Sequence, residues 1–234
     1  MKASLKSIFP PLPRFHAADI VLFGGSVALI LGSFFLFHQS DVLSLVASLV
    51  GVTSLTFCAK GHPLGQMLMI VFAILYGIIS YECAYYGEML TYVGMSLPMA
   101  VVSLISWMRH PYAGDRSQVA VRRMKPADWG IMVGLNVVVT VAFWFILGAL
   151  GTANLLPSTI SVTTSFGAVF LTARRSPWYA LVYAANDVVL LVLWVLAALK
   201  DPSYISVIVC FAVFLLNDLN GFRNWRRMEK AQGK

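Results

Sequence analysis

The chain has 234 residues, of which 59% are hydrophobic and only 12% charged, with a formal net charge of +7. Soluble domains carry roughly 25% charged residues, so this composition excludes an ordinary soluble enzyme, and long apolar runs without alternation exclude a membrane barrel. The basic residues fall between the apolar runs and form no aromatic-interleaved patch, so they speak for membrane orientation and against a nucleic-acid partner.

Crossing about 30 Å of hydrocarbon takes roughly 20 helical residues, and the sequence predicts an all-α integral membrane fold of eight spans. The first, 18–37, follows a Pro-containing lead (Ile8 to Pro13) and has no A-x-A-like exit, which predicts a retained helix and not a cleaved signal. The others are 42–59, 65–82, 88–108, 128–149, 158–173, 178–199 and 204–222, punctuated by Gly61 and Pro63, Gly87, Pro111 and Gly114, Gly151 and Pro157, Pro177, and Pro202. With the N-terminus placed in the cytoplasm, all of the 17 Lys and Arg except Lys200 fall on inner segments. The sequence therefore predicts a multi-pass membrane protein with both termini cytoplasmic.

A repeat is visible in the same division. Ala59-Lys60-Gly61-His62-Pro63 opens the third span and Ala173-Arg174-Arg175-Ser176-Pro177 the seventh. Each leads to a closing tryptophan, Trp107 or Trp225, 44 and 48 residues after its proline. The organisation predicted is an N-terminus with an extra helix (1–41), a first three-helix bundle (42–108), a basic cytoplasmic loop (109–127), a linker helix with its outer loop (128–157), a second three-helix bundle (158–222) and a basic tail (223–234). One linker crossing between two three-helix units gives them the same direction, the parallel-repeat arrangement found in transporters.

Chemistry concentrates in the seventh span. Asn186 and Asp187 sit near its middle, where a carboxylate costs about 2.5–3.5 kcal/mol to insert and is seldom present without a task. On a helix Tyr183, Asp187 and Trp194 fall on one stripe, with Tyr179 and Asn186 on its flank. Aromatic rings bracketing an amide and an acid suit a flat ligand with polar edges. In the eighth span Asn217 is a ligand or inner-gate candidate, whereas Asp218 is expected to form an ion pair with Arg223 or Arg226. The sixth span, from Ser158 to Ser165, is rich in hydroxyls that can satisfy their own carbonyls, with Thr164 as a pocket donor. The fourth span offers Tyr92 and Met95, with Pro98 as kink and hinge; Glu88 is expected at the outer rim. In the third span Gln66 and Tyr76 face inward by repeat symmetry.

Cys58, Cys83 and Cys210 have no CxxC spacing and read as small buried hydrophobes. His16, His38, His62 and His110 share no helix turn with another ligating residue, so neither a metal nor a cofactor is expected. No P-loop, GxSxG or HExxH is present, and no enzymatic activity is expected. A membrane enzyme acting on a lipid-linked substrate would have only Asp115, Asp128 and His110 to work with.

On Ala59-Lys60-Gly61, Tyr85-Tyr86-Gly87-Glu88, the Ser103–Trp107 and Gly221–Trp225 segments and the stretch from Thr159 to Trp194, the chain resembles the PnuC family of vitamin transporters from about Gly51 to Trp225. The resemblance implies a SWEET-like 3+1+3 fold and facilitated uptake of nicotinamide riboside at a central site. It also implies a cytoplasmic kinase that traps the vitamin, and a homotrimer. Many relatives carry two tryptophans three apart, then an Asn or Asp four residues later. Aligned on Asn186 those positions are Tyr179 and Val182; aligned on Asp187 they are Ala180 and Tyr183. One aromatic is lost either way, which leaves thiamine, riboflavin or a deoxynucleoside as alternative cargo, and proton coupling through Asp187 as an alternative mechanism.

Overall fold

The structure, a computed structural model, describes residues 10–36, 42–82, 89–152, 154–199 and 205–233. The Tyr85–Glu88 motif, Cys83, His38, Lys200 and Pro202 lie outside the described residues. Among the described residues eight helices follow one another: α1 Ala17–Leu36, α2 Val42–Cys58, α3 Leu64–Glu82, α4 Leu90–Arg109, α5 Pro126–Ala149, α6 Leu155–Ala173, α7 Trp178–Ala198 and α8 Ile205–Ala231. Seven are long and apolar enough to cross a bilayer, and α2, with 17 residues, is slightly shorter.

Local chemistry explains the helix boundaries. Pro126 opens α5 where its missing N–H costs nothing, and the Asp128 carboxylate accepts the backbone N–H of Lys125 at 3.1 Å. The turns into α3 and α7 need a left-handed residue just before the proline; Gly61 (φ 65°) and Arg175 (φ 59°) supply it. Two boundaries differ from expectation. First, α8 does not stop at Phe222: Gly221, Trp225 and Met228 keep one buried face going, so the basic tail is helical through Ala231. Second, the basic loop contains a short antiparallel hairpin, β1 Pro111–Tyr112 with β2 Asp115–Val119, turned at Ala113-Gly114.

Helix α4 changes type along its length. Leu90–Ser96 form a π-helical turn and Leu97–Arg109 continue as regular α-helix, with Pro98 in the first turn of that part. Proline cannot donate to the carbonyl four residues back, so the helix changes its hydrogen-bond register just before it.

Helices α2–α3–α4 pack as one set and α6–α7–α8 as another, joined through α2 against α8 and α4 against α6; α1 lies over α2 and α8. Lipid tails are as apolar as leucine, so close packing and polar contacts, more than the hydrophobic effect, hold such helices together. At Gly65 a Cβ would come within 2.6 Å of the Cys58 backbone nitrogen, and the Ser54 hydroxyl bonds the Gly65 carbonyl at 2.8 Å. Helix α1 is tied to its neighbours by Lys60–Asp19 at 2.5 Å and by Asn217 Nδ2 donating to Ser26 Oγ at 2.9 Å.

The basic end of the bundle is held by backbone and side-chain bonds between its loops and helix ends. The end of β2 and the segment after it cross both elbows: the Val119 N–H donates to the Gly61 carbonyl at 2.9 Å, and the Arg122 N–H to the Arg175 carbonyl at 3.0 Å. The Trp107 indole donates to the Thr172 carbonyl at 2.9 Å and the Trp225 indole to the Cys58 carbonyl at 2.8 Å. Asp128 gathers Arg122 at 2.8 Å and Arg174 at 3.3 Å, and Arg226 bonds Glu229.

Candidate functional site

Between the two sets lies a cavity of about 460 Å³, walled by α2, α3, α4, α6, α7 and α8, with Leu147 of α5 at its edge. That is within the roughly 300–1,000 Å³ typical of small-molecule sites. It reaches the chain reversal between α5 and α6 at Leu150, Gly151 and Asn154, at the end of the bundle away from the arginines. At the basic end Trp107, Leu171 and Trp225, all fully buried, with Tyr179 and Cys58, form a packed floor below it.

One wall is aromatic. Phe72 and Tyr76 of α3 meet Tyr92 of α4, with Tyr76 and Tyr92 centroids 4.5 Å apart. Phe72 also meets Phe214 edge-on at 6.1 Å, and Trp194 lies nearly parallel to Phe211 at 6.4 Å. Gly51 makes room for this cluster: a Cβ there would lie 2.8 Å from the Phe214 ring and 3.1 Å from that of Phe72.

The opposite side is polar. Asn186 and Asp187 come from midway along α7, Gln66 from the first turn of α3 and Ser103 from α4. Oδ1 of Asn186 receives the hydroxyls of Ser161 at 3.0 Å and Thr164 at 2.8 Å, which fixes the amide plane and leaves its NH₂ for the cavity. The Gln66 amide touches Cys58 Sγ at 3.2 Å. Two buried lining atoms, Asp187 Oδ2 and Ser103 Oγ, have no hydrogen-bond partner. Unsatisfied buried polar atoms are costly, and both residues belong to the cavity wall.

Of the residues singled out from sequence, Asp187, Asn186, Tyr183, Trp194, Tyr92, Gln66 and Tyr76 line this cavity together. Four others sit elsewhere. Tyr179 points its hydroxyl at the Cys58 carbonyl (3.1 Å) within the floor. Asn217 faces Ser26 of α1. Met95 packs against Leu147 and Val162, and Thr164 acts on Asn186 from behind. Pro98 is on the exposed side of α4.

The structure also corrects one expectation. Asp218 does not pair with Arg223 or Arg226; it lines the cavity with its carboxyl within hydrogen-bonding reach of Asp187, while Arg226 is engaged by Glu229. Successive helical residues point about 100° apart, so Asn217 and Asp218 meet different neighbours. Ser103, Phe72, Phe211 and Phe214 likewise join the lining unannounced. The only sequence signal for Asp218 was the repeated Asn-Asp dipeptide.

Comparisons with known proteins agree with this architecture. The chain is 24% identical over 230 residues to the nicotinamide riboside transporter PnuC of Neisseria mucosa, covering 96% of this chain and 86% of that protein. It is 21% identical over 191 residues to the nicotinamide riboside transporter PnuC of Haemophilus influenzae, covering 80% of each. A crystal structure of the vitamin B3 transporter PnuC superposes with a TM-score of 0.81 at 22% identity, over 94% of both chains. The model of the nicotinamide mononucleotide transporter family matches residues 41–227, most of the length, and the chain belongs to that family.

Proposed function

We propose that this protein carries nicotinamide riboside, unphosphorylated, across a bacterial inner membrane by facilitated diffusion through the cavity between the two helix sets. The observation that carries the reading is the lining itself: aromatic rings, amides, hydroxyls and two carboxyls, with no Lys, Arg or His among the described lining residues. A mononucleotide would bring a phosphate with nothing to neutralise it and two carboxyls to repel it. The riboside brings a cationic pyridinium, a carboxamide and ribose hydroxyls, each with a counterpart on the wall. The names of the two relatives favour the same cargo.

In this reading all eight helices span the bilayer, α5 links two parallel three-helix repeats, and both termini are cytoplasmic. The reciprocal tryptophan bonds and the matching elbows at Gly61 and Arg175 support the repeat. The cavity lies near the membrane midplane and faces outward, and the tryptophan floor is the inner barrier. Asp187, Asn186, Tyr183, Trp194, Tyr92, Tyr76 and Gln66 contact the vitamin. The π turn before Pro98 is where α4 bends as the bundle alternates. A cytoplasmic kinase traps the product, and the homotrimer implied by the family resemblance has the exposed apolar face of α5 available to it.

Counterflow in liposomes loaded with unlabelled nicotinamide riboside tests the reading. Labelled nicotinamide riboside should exchange, thymidine and riboflavin should not, and Asp187→Ala should exchange nothing while keeping its oligomeric state. Exchange of thymidine in preference to the riboside would overturn the assignment.

A further inference from the structure

We propose that Asp187 and Asp218 work as one unit: a carboxyl pair that shares a proton in the empty cavity and releases it to water when a permanently cationic ring binds. The proposal rests on the cargo reading above and sharpens it to a ligand class, rings with fixed positive charge.

The geometry is specific. The two residues come from adjacent helices, α7 and α8, are 4% and 5% exposed, and line the same cavity. Their carboxyls are within hydrogen-bonding reach of one another. A hydrogen bond between two carboxyls requires a proton on one of them. Two bare carboxylates there would repel, and only a proton or another positive charge removes that repulsion. Asp187 Oδ2 is buried and receives no hydrogen bond from an amide, hydroxyl or basic side chain.

Among the described residues no Lys, Arg or His lines the cavity. Among the described residues, the basic side chains in salt bridges are Lys60, Arg122, Arg123, Arg174 and Arg226, and their partners are Asp19, Asp128 and Glu229. The titratable groups facing the pair are Cys58 of α2, Tyr92 of α4, Tyr179 and Tyr183 of α7 and Cys210 of α8, with Tyr76 of α3 across the cavity. Phenols and thiols ordinarily carry no charge at neutral pH. Helix α6 contributes only hydroxyls and apolar side chains to the lining. The described lining side chains supply no positive charge here; in this proposal it comes from the proton or from the ligand, and the two compete. Tyr183, Phe211 and Phe214 give the cationic ring faces to rest on.

Calorimetry of the purified protein with nicotinamide riboside, in two buffers of different ionisation enthalpy at one pH, tests this. Wild type should release about one proton per ligand bound, as expected for a coupled carboxyl pair. The reduced riboside has the same sugar and carboxamide on a neutral ring; it should bind at least about tenfold more weakly, without proton release. Asp218→Asn should bind nicotinamide riboside with the same heat in both buffers. Equal heats in both buffers for wild type would overturn the proposal while leaving the cargo reading intact, and this comparison needs no variant. A reduced riboside that binds as tightly as the cationic one would overturn it too. Absence of any saturable nicotinamide riboside binding would remove the cargo reading, and this inference with it.

Discussion

Trp107 and Trp225 meet across the basic end of the bundle with ring centroids 5.3 Å apart and planes tilted by 49°, and each donates its indole N–H to the last turn of a helix in the opposite set. Both are fully buried, and Tyr179 packs edge-on against them at 6.5 and 5.0 Å. The floor of the cavity is thus an exchange of hydrogen bonds between the two halves. Replacing either tryptophan with phenylalanine keeps a ring and removes one such bond, which should lower stability by about 1 kcal/mol. Because the rings touch, the double variant should depart from the sum of the singles by about 0.5 kcal/mol or more. Thermal or denaturant unfolding in detergent provides the check, and strictly additive losses would contradict the shared brace.

Thr164 does not line the cavity, yet its hydroxyl approaches Asn186 Oδ1 at 2.8 Å. Thr164→Val keeps the volume and removes the bond, freeing the amide to turn. Nicotinamide riboside affinity should fall several-fold with little change in thermal midpoint, since one hydrogen bond is worth about 1 kcal/mol. Unchanged affinity would mean that Ser161 alone holds the amide.

Gly51 tests the aromatic wall. A methyl group there would lie 2.8 Å from Phe214 and 3.1 Å from Phe72, so one ring must move. The space available to those rings is the cavity. Gly51→Ala should therefore give a folded protein with reduced uptake, and Gly51→Val a larger loss of both uptake and stability, as overpacking costs about 1–3 kcal/mol. Normal uptake by Gly51→Val in liposomes would show that the rings yield elsewhere.

His62 links stability to pH. Its ring is 1% exposed and Nδ1 accepts the Leu64 N–H at 3.2 Å. Burial lowers its pKa, against a weaker opposing pull from the Pro10 and Pro11 carbonyls. Above the ordinary imidazole value of about 6.5 the ring is neutral in both folded and unfolded chains. Below it the unfolded chain takes the proton first, so stability is lost as pH falls from there towards the lower folded value. His62→Gln should flatten the fall in thermal midpoint between neutral and mildly acidic pH. A variant with the wild-type slope would place that sensitivity elsewhere.

The sequence by itself determined where the helices lie. Apolar runs of membrane length, broken by Pro and Gly, leave few other solutions, and the eight helices fall within a few residues of those runs except at the end of α8. It also isolated Asp187, because a carboxylate in the middle of such a run stands out. Only the tertiary structure decided what each polar side chain faces. Asp218 beside Asp187, Asn217 against Ser26, Tyr179 in the floor and Thr164 behind Asn186 all depend on which helix is the neighbour. A step of one residue turns a side chain by about 100°, and at any helix face the choice among lipid, cavity and partner helix is made by packing between segments far apart in the chain.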